Sequence, residues 1–280
     1  MTIVFELFRY QLLPVDRQLQ LDFINDIQTI DELIERKNDI FAQALREVHQ
    51  FNHPRTDVIA KLLYTEQDFF LYRIAANRSI HRETKEFSDE YIDNWPSVLV
   101  AVWNHPEIQL IAVQRRSTAF QHAKSVVQMI LEAVAPKLGS AHLSSHFEPL
   151  FEVEGFWTLV HKFEGRIQSI DFEFITPNMA NISRSLSQDL RQFAKEMNSV
   201  NNNLRLAADP ESAIHVDESN PTLAGLVEYS SEGGGNITMK ISGLRKKYQT
   251  SKNTKTVSVD ELDISGPVAE VAAALKQLMA

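Results

Sequence analysis

The sequence predicts an α+β protein of two domains, with largely antiparallel sheets packed against helices. Three observations carry this. Several segments alternate apolar and polar residues with a period of two, others carry apolar residues at helical spacing, and neighbouring β-rich runs are joined by short polar turns. The segment "TIVFELFRYQLLP" (2–14) alternates and stops at Pro14, so it reads as an opening strand. Residues 29–51 place Ile30, Leu33, Ile34, Phe41, Leu45 and Val48 on one helical face. Thr29, with Glu32 three positions on, forms a capping-box pattern at the start of that helix.

Strands are expected near 57–64 and 67–76. "SVLVAVWNHPEIQLIAVQ" (97–114) reads as a hairpin whose two runs are separated by Asn104, His105 and Pro106. Residues 117–136 read as a helix with a Ser/Thr cap, ending at Pro136. The small and polar segment 137–149 is expected to be a boundary, giving domains 1–145 and 146–280. In the second domain, 166–177 reads as a strand, 183–200 as an amphipathic helix and 202–209 as a strand. Asn220 and Pro221 open a helix that "GGG" (233–235) ends. Strands at 236–242 and 254–261 and a terminal helix at 265–279 complete the expected order.

Composition narrows the function classes. The 280 residues carry a formal charge of −9, which disfavours indiscriminate coating of nucleic acid or anionic lipid. There is no cysteine, so disulfide and thiolate chemistry are excluded. The apolar runs are strand-sized and the first residues lack a signal-peptide pattern, so a cytoplasmic protein without membrane insertion is expected.

Against this acidic background, the stretch from Lys240 to Lys255 places Lys240, Arg245, Lys246, Lys247, Lys252 and Lys255 with no carboxylate between them. Lying between two expected strands, they form a basic loop or hairpin tip suited to a phosphate chain, with Tyr248 as a base-stacking or phosphate-bonding candidate. A solvated loop or an arm gripping an acidic partner fits the same residues. Arg78, Arg82, Arg115 and Arg116 offer a second cationic patch, although salt-bridged surface also explains each of them.

Enzymatic signatures are sparse. Asp171 and Glu173 share one face of a strand, as carboxylates that hold Mg²⁺ in nucleases do, but the Lys expected two residues later is missing. The pairs "HQFNH" (49–53) and "HLSSH" (142–146) could chelate zinc on a helix, given a third ligand. Arg116 and His122 have a spacing similar to that of HEPN ribonucleases, whose domains are all-helical. The "GGG" run follows a helix, the wrong end for a phosphate loop. No cofactor is implied.

The arrangement of "TEQDFFLYRIAANRSIH" (65–81), "WPSVLVAVWNHPEIQLIAVQRRSTAFQHAKSVVQMIL" (95–131), "IDFEFITPNMANI" (170–182) and "NNLRLAAD" (202–209) resembles the RexA-like phage-exclusion family of lambdoid prophages. The likeness covers about residues 65–200 and lies in arrangement more than in identity. It implies a dimeric, cytoplasmic DNA-binding protein of a prophage or phage-defence locus. The basic stretch at 240–255 lies outside the likeness. The resulting expectation is sequence-nonspecific binding of DNA, with RNA as an alternative, by a homodimer that could have a partner protein from the same locus. The alternatives are a metal-dependent nuclease using Asp171 and Glu173, or a protein-interaction component with a basic docking arm.

Overall fold

The computed structural model describes residues 2–16, 27, 29–48, 50–176 and 179–280. His49 and Pro177, on which two of the sequence expectations rest, lie outside them. The fold is α+β, with antiparallel strand pairing throughout the described ladders. The first half of the chain contains β1 (Thr2–Pro14), α1 (Ile30–Glu47), β2 (Val58–Glu66), β3 (Phe69–Ala76), β4 (Ile80–Glu83), β5 (Asp89–Ile92), β6 (Ser97–Trp103), β7 (Leu110–Gln114) and α2 (Ala123–Ser140). Then follow β8 (Leu143–Pro149), α3 (Val153–Lys162), β9 (Ile167–Ile175), α4 (Ala180–Ser183), α5 (Gln188–Glu196), β10 (Asn201–Ala207) and α6 (Pro221–Tyr229). The chain closes with β11 (Gly235–Ile241), β12 (Tyr248–Gln249), β13 (Thr256–Asp260), α7 (Glu261–Ser265) and α8 (Val268–Met279).

Two compact units result, each assembled from separated segments. The first comprises 1–6, 36–141 and 256–280, and the second 7–35 and 142–255. The crossing at 141/142 lies close to the 145/146 boundary read from the sequence, while the other crossings exchange the terminal segments. The length of β1 accounts for part of this. Its first residues pair with β13, Thr2 opposite Asp260, and its later residues pair with β8, Phe8 opposite Pro149.

In the first unit the strands run in the order β13-β1-β7-β6-β3-β2. Phe70, Tyr72, Ile74, Val98, Val100 and Val102 are buried on one face, with the Tyr72 hydroxyl donating to the Leu45 carbonyl of α1 at 2.9 Å. On the other face Lys276 of α8 lies over the rings of Phe69 and Trp103. Each large apolar side chain removed from water contributes roughly 1.5–3 kcal/mol, so these two faces dominate the stability of the unit. The capping box at the start of α1, whose residues to Glu35 belong to the second unit, forms as expected: Glu32 N–H donates to Thr29 Oγ1 and Thr29 N–H to Glu32 Oε2. Buried Asn38, Asn104 and Gln109 are linked by side-chain hydrogen bonds, with Asn38 Nδ2 donating to Asn104 Oδ1 at 2.9 Å and Gln109 Nε2 donating to Asn38 Oδ1 at 3.2 Å.

In the second unit the sheet order is β10-β9-β11-β12. Ile170, Phe172 and Phe174 of β9 and Ile237 and Met239 of β11 pack with Phe156, Trp157 and Val160 of α3 and Leu226, Val227 and Tyr229 of α6. Asn220 caps α6, its Oδ1 accepting from the N–H groups of Thr222 and Leu223. The glycine run after α6 is a packing device. Gly233 takes φ +79°, a left-handed conformation. A Cβ on Gly235 would lie 2.1 Å from the Glu173 carbonyl oxygen, so only glycine lets β11 approach β9 this closely.

Three expectations are corrected. The helix expected at 117–136 begins at Ala123, without a side-chain cap, and runs through Pro136 to Ser140. Proline's missing N–H is tolerated there because the buried Val134 and Leu138 keep the last turns docked. The segment 137–149 finishes α2 and supplies β8, which puts His146 on a strand and removes the helical i, i+4 geometry expected for "HLSSH". The strand at 254–261 does not return beside β11. It is β13, paired with β1.

Gly235→Ala should lower the unfolding free energy by at least about 1–3 kcal/mol, seen as a lower urea midpoint, because the methyl group must push β9 and β11 apart. Lys37 is 4% exposed, and burial lowers its ammonium pKa to about 8. An unfolded lysine titrates near 10.4, so between about pH 8 and 10.4 the unfolded chain holds the extra proton and stability rises with pH. Denaturation of wild type should show a gain of about 3 kcal/mol across that window that Lys37→Met lacks.

Candidate nucleic-acid interface

The basic stretch folds as a compact hairpin of the second unit. β11 pairs with the two-residue β12, Thr238 opposite Gln249 and Met239 opposite Tyr248, and residues 242–247 form the tip. Gly243 takes φ +79° to make the turn. The tip is clamped from the α3–β9 loop: Ser242 N–H donates to the Arg166 carbonyl, and Arg166 Nη2 donates back to the Ser242 carbonyl, both at 2.8 Å. The Arg166 guanidinium also stacks 5.4 Å from the Phe163 ring centroid, so a further cation is fixed at the base of the tip.

Lys240, Arg245, Lys246 and Lys247 are all exposed. Among the described residues, Lys240, Arg245 and Lys246 have no carboxylate within ion-pair distance. Lys247 differs. Its Nζ lies 3.8 Å from Asp171 Oδ2, and Arg205 Nε lies 3.3 Å from Asp171 Oδ1. The Asp171 side chain is 11% exposed whereas Arg205 and Lys247 are 63% and 52% exposed, so the carboxylate lies beneath two outward-facing cations.

This arrangement bears on the paired carboxylates. Asp171 and Glu173 do share a strand face, but Asp171 is already opposed by two cations, and Glu173 accepts from Asn236 Nδ2 at 3.3 Å. No group of three His, Asp or Glu suited to a metal ion occurs among the described residues.

The hairpin does not carry every cation expected on it. Lys252 is exposed on a short turn after β12, without a carboxylate partner among the described residues. Lys255 lies 3.5 Å from Glu152, and its backbone bonds to Leu150 and Leu7. Tyr248 is half-buried against the apolar cluster, its hydroxyl accepting from Asn253 Nδ2 at 2.7 Å, so its ring is engaged in packing.

The second patch belongs to the first unit, and its four arginines are all engaged. Arg78 donates twice to the Ala119 carbonyl, at 2.7 and 3.0 Å. Arg82 pairs with Glu90 across the β4–β5 hairpin, Arg115 pairs with Glu6 at 2.9 Å, and Arg116 donates to the Ser97 carbonyl at 3.0 Å. Arg116 and His122 flank a turn instead of sharing a helix.

Two contributors escaped the sequence reading. Arg205 sits opposite Asp171 in the β10–β9 register, which no local pattern reveals, and Arg166 was hidden in a turn. The second unit also holds a cleft of about 340 Å³ lined by His161, Glu164, His215, Asp217 and Glu218. There the Ser219 hydroxyl and N–H hold the exposed Asp217 carboxyl below its usual range.

No helix among the described residues is long and apolar enough to cross a membrane. Comparisons with protein-family models, curated proteins and solved structures find nothing that matches the chain.

Proposed function

We propose that the second unit binds nucleic acid through its phosphate backbone, without reading sequence. Lys240, Arg245 and Lys246 form the centre of the contact, and Lys247, Arg166 and Arg205 form its flanks. The observation that carries this reading is the contrast between unpartnered and engaged cations. In a chain of 37 carboxylates, Lys240, Arg245 and Lys246 stay exposed with none in ion-pair distance among the described residues. The four arginines of the other patch are each held by an acceptor.

Side chains two residues apart on a strand are about 6–7 Å apart, and duplex DNA presents one phosphate per ~1.7 Å of axis counting both strands. A short cationic ribbon therefore meets several phosphates without a fixed register. The acidic remainder of the chain repels the polymer and confines contact to this ribbon. The resemblance of the arrangement of residues 65–200 to RexA-like proteins, which bind DNA, suggests a role in phage exclusion and does not extend to the hairpin itself.

Asp171 acts in this account as an internal competitor, a buried anion occupying the inner sides of Arg205 and Lys247. A phosphate reaching those cations must share them with the carboxylate. The nuclease alternative assigns Asp171 the opposite role, that of a metal ligand, so one substitution separates the two.

In fluorescence anisotropy with labelled duplex DNA, log K should fall against log salt with a slope near −4, for four to five neutralised phosphates. Lys246→Glu/Lys247→Glu should weaken binding more than tenfold and flatten the slope by about 2. A slope near zero with retained affinity would contradict backbone contact. Asp171→Asn should bind about fivefold tighter than wild type, in line with a partly exposed ion pair worth ~1 kcal/mol. Mg²⁺-dependent cleavage of the DNA that disappears in Asp171→Asn would instead select the nuclease.

A further inference from the structure

The first unit carries a second cationic feature, built differently from the hairpin. Arg73 projects from the middle of β3, exposed, in a row whose neighbours along the strand, Leu71 and Ala75, are buried. Directly opposite it on β2 stands Lys61, also exposed. Like charges facing each other across a ladder destabilise it. Neither Arg73 nor Lys61 has a carboxylate within ion-pair distance, nor a side-chain hydrogen bond, among the described residues.

Arg73 lines a cleft of about 330 Å³ together with Arg116, Ser97, Gln114, Ser265 and Glu261. The donors there are only partly used. Arg116 spends Nη1 on the Ser97 carbonyl at 3.0 Å, which leaves the rest of its guanidinium free. Gln114 accepts from Leu99 N–H through Oε1 at 2.9 Å, and its amide NH₂ has no acceptor among the described residues. Ser265 Oγ is turned away from any such role, donating to the Glu261 carbonyl at 2.7 Å. Two guanidinium groups and one amide thus converge on a cleft with free N–H donors and no acceptor assigned to them. Among the described residues Glu261 is the one carboxylate in the lining.

We propose that this cleft is a binding site for a sugar phosphate. The phosphate monoester would lie on Arg73 and Arg116, with Gln114 donating to it, and Glu261 would accept from a sugar hydroxyl. Guanidinium groups suit this task because their planar N–H pairs match two phosphate oxygens at once. The volume suits a pentose phosphate or a mononucleotide, and a bound dianion would relieve the repulsion between Lys61 and Arg73. A carboxylate in the same cleft disfavours a bare inorganic anion and favours a ligand that brings hydroxyl donors with its charge. The same chemistry occurs on a free metabolite and at the 5′ end of a nucleic-acid strand. The site is independent of the hairpin and stands whether or not the hairpin binds nucleic acid.

The test is isothermal titration of the full chain with ribose 5-phosphate, 5′-AMP, inorganic phosphate and adenosine. Ribose 5-phosphate and 5′-AMP should bind one per chain and more tightly than inorganic phosphate, and adenosine should bind at least tenfold more weakly than 5′-AMP. Arg73→Gln is the informative variant, because Arg73 makes no contact that folding needs. It should weaken 5′-AMP at least tenfold with an unchanged unfolding midpoint, while Lys246→Glu/Lys247→Glu binds it as wild type does. Absence of saturable binding, equal affinity for adenosine, or a loss confined to the hairpin variant would overturn the proposal. Competition against ribose 5-phosphate by oligonucleotides with and without a 5′ phosphate identifies the source. Competition by the phosphorylated strand alone assigns the site to a polymer end, and competition by neither strand assigns it to a free sugar phosphate.

Discussion

Burying Ile170, Phe172 and Phe174 of β9 against α3 and α6 forces Ser169, Asp171 and Glu173 to the opposite face, because side chains alternate along a strand. Everything proposed for the second unit depends on that alternation. It puts Asp171 level with Arg205 on β10 and Thr238 on β11, and it puts Lys240 on the polar side of a ribbon whose neighbour Met239 is fully buried. Gly235 lets β11 approach closely enough to complete the arrangement. Core packing therefore positions the cations, and the cations need not stabilise anything themselves.

The chain separates two uses of arginine and lysine. Arg9, buried and paired with Glu232 at 2.9 Å, serves the fold, as do Arg78 and Arg115. Burial presses the Arg9 pKa downward and Glu232 opposes that shift, so the pair is a structural tie paid for by its own desolvation. Lys240, Arg245, Lys246, Lys61 and Arg73 have no such partner among the described residues. Unpaired cations in an acidic protein are sites where an external anion meets no internal competitor, and they occur here as a ribbon in one unit and beside a cleft in the other.

Much of the fold was legible in local pattern. The opening strand at 2–14, the Thr29/Glu32 box, the hairpin at 97–114 and the Asn220–Pro221 cap all appear where the residues place them, since each is decided within a few positions. What failed was decided at long range. Pro136 reads as a stop, but tertiary burial of Val134 and Leu138 carries α2 past it. Residues 254–261 read as the return strand of the basic hairpin, yet their pairing partner is β1, some 250 residues away in sequence. The two-residue β12 is too short to leave a pattern. The basic stretch itself was visible, but Arg166 and Arg205 join it through register and a loop clamp, which sequence spacing does not encode.

A polyanion seated on the exposed hairpin cations would shield them from modification. Lysine footprinting measures that shielding: the protein is acetylated at low reagent with and without saturating duplex DNA, and each lysine is quantified by mass spectrometry. Lys240, Lys246 and Lys247 should be protected by the duplex while Lys85, 91% exposed after β4 in the first unit, reacts at its free rate. Unchanged labelling of the three hairpin lysines in the DNA-bound protein, with protection elsewhere, would contradict it.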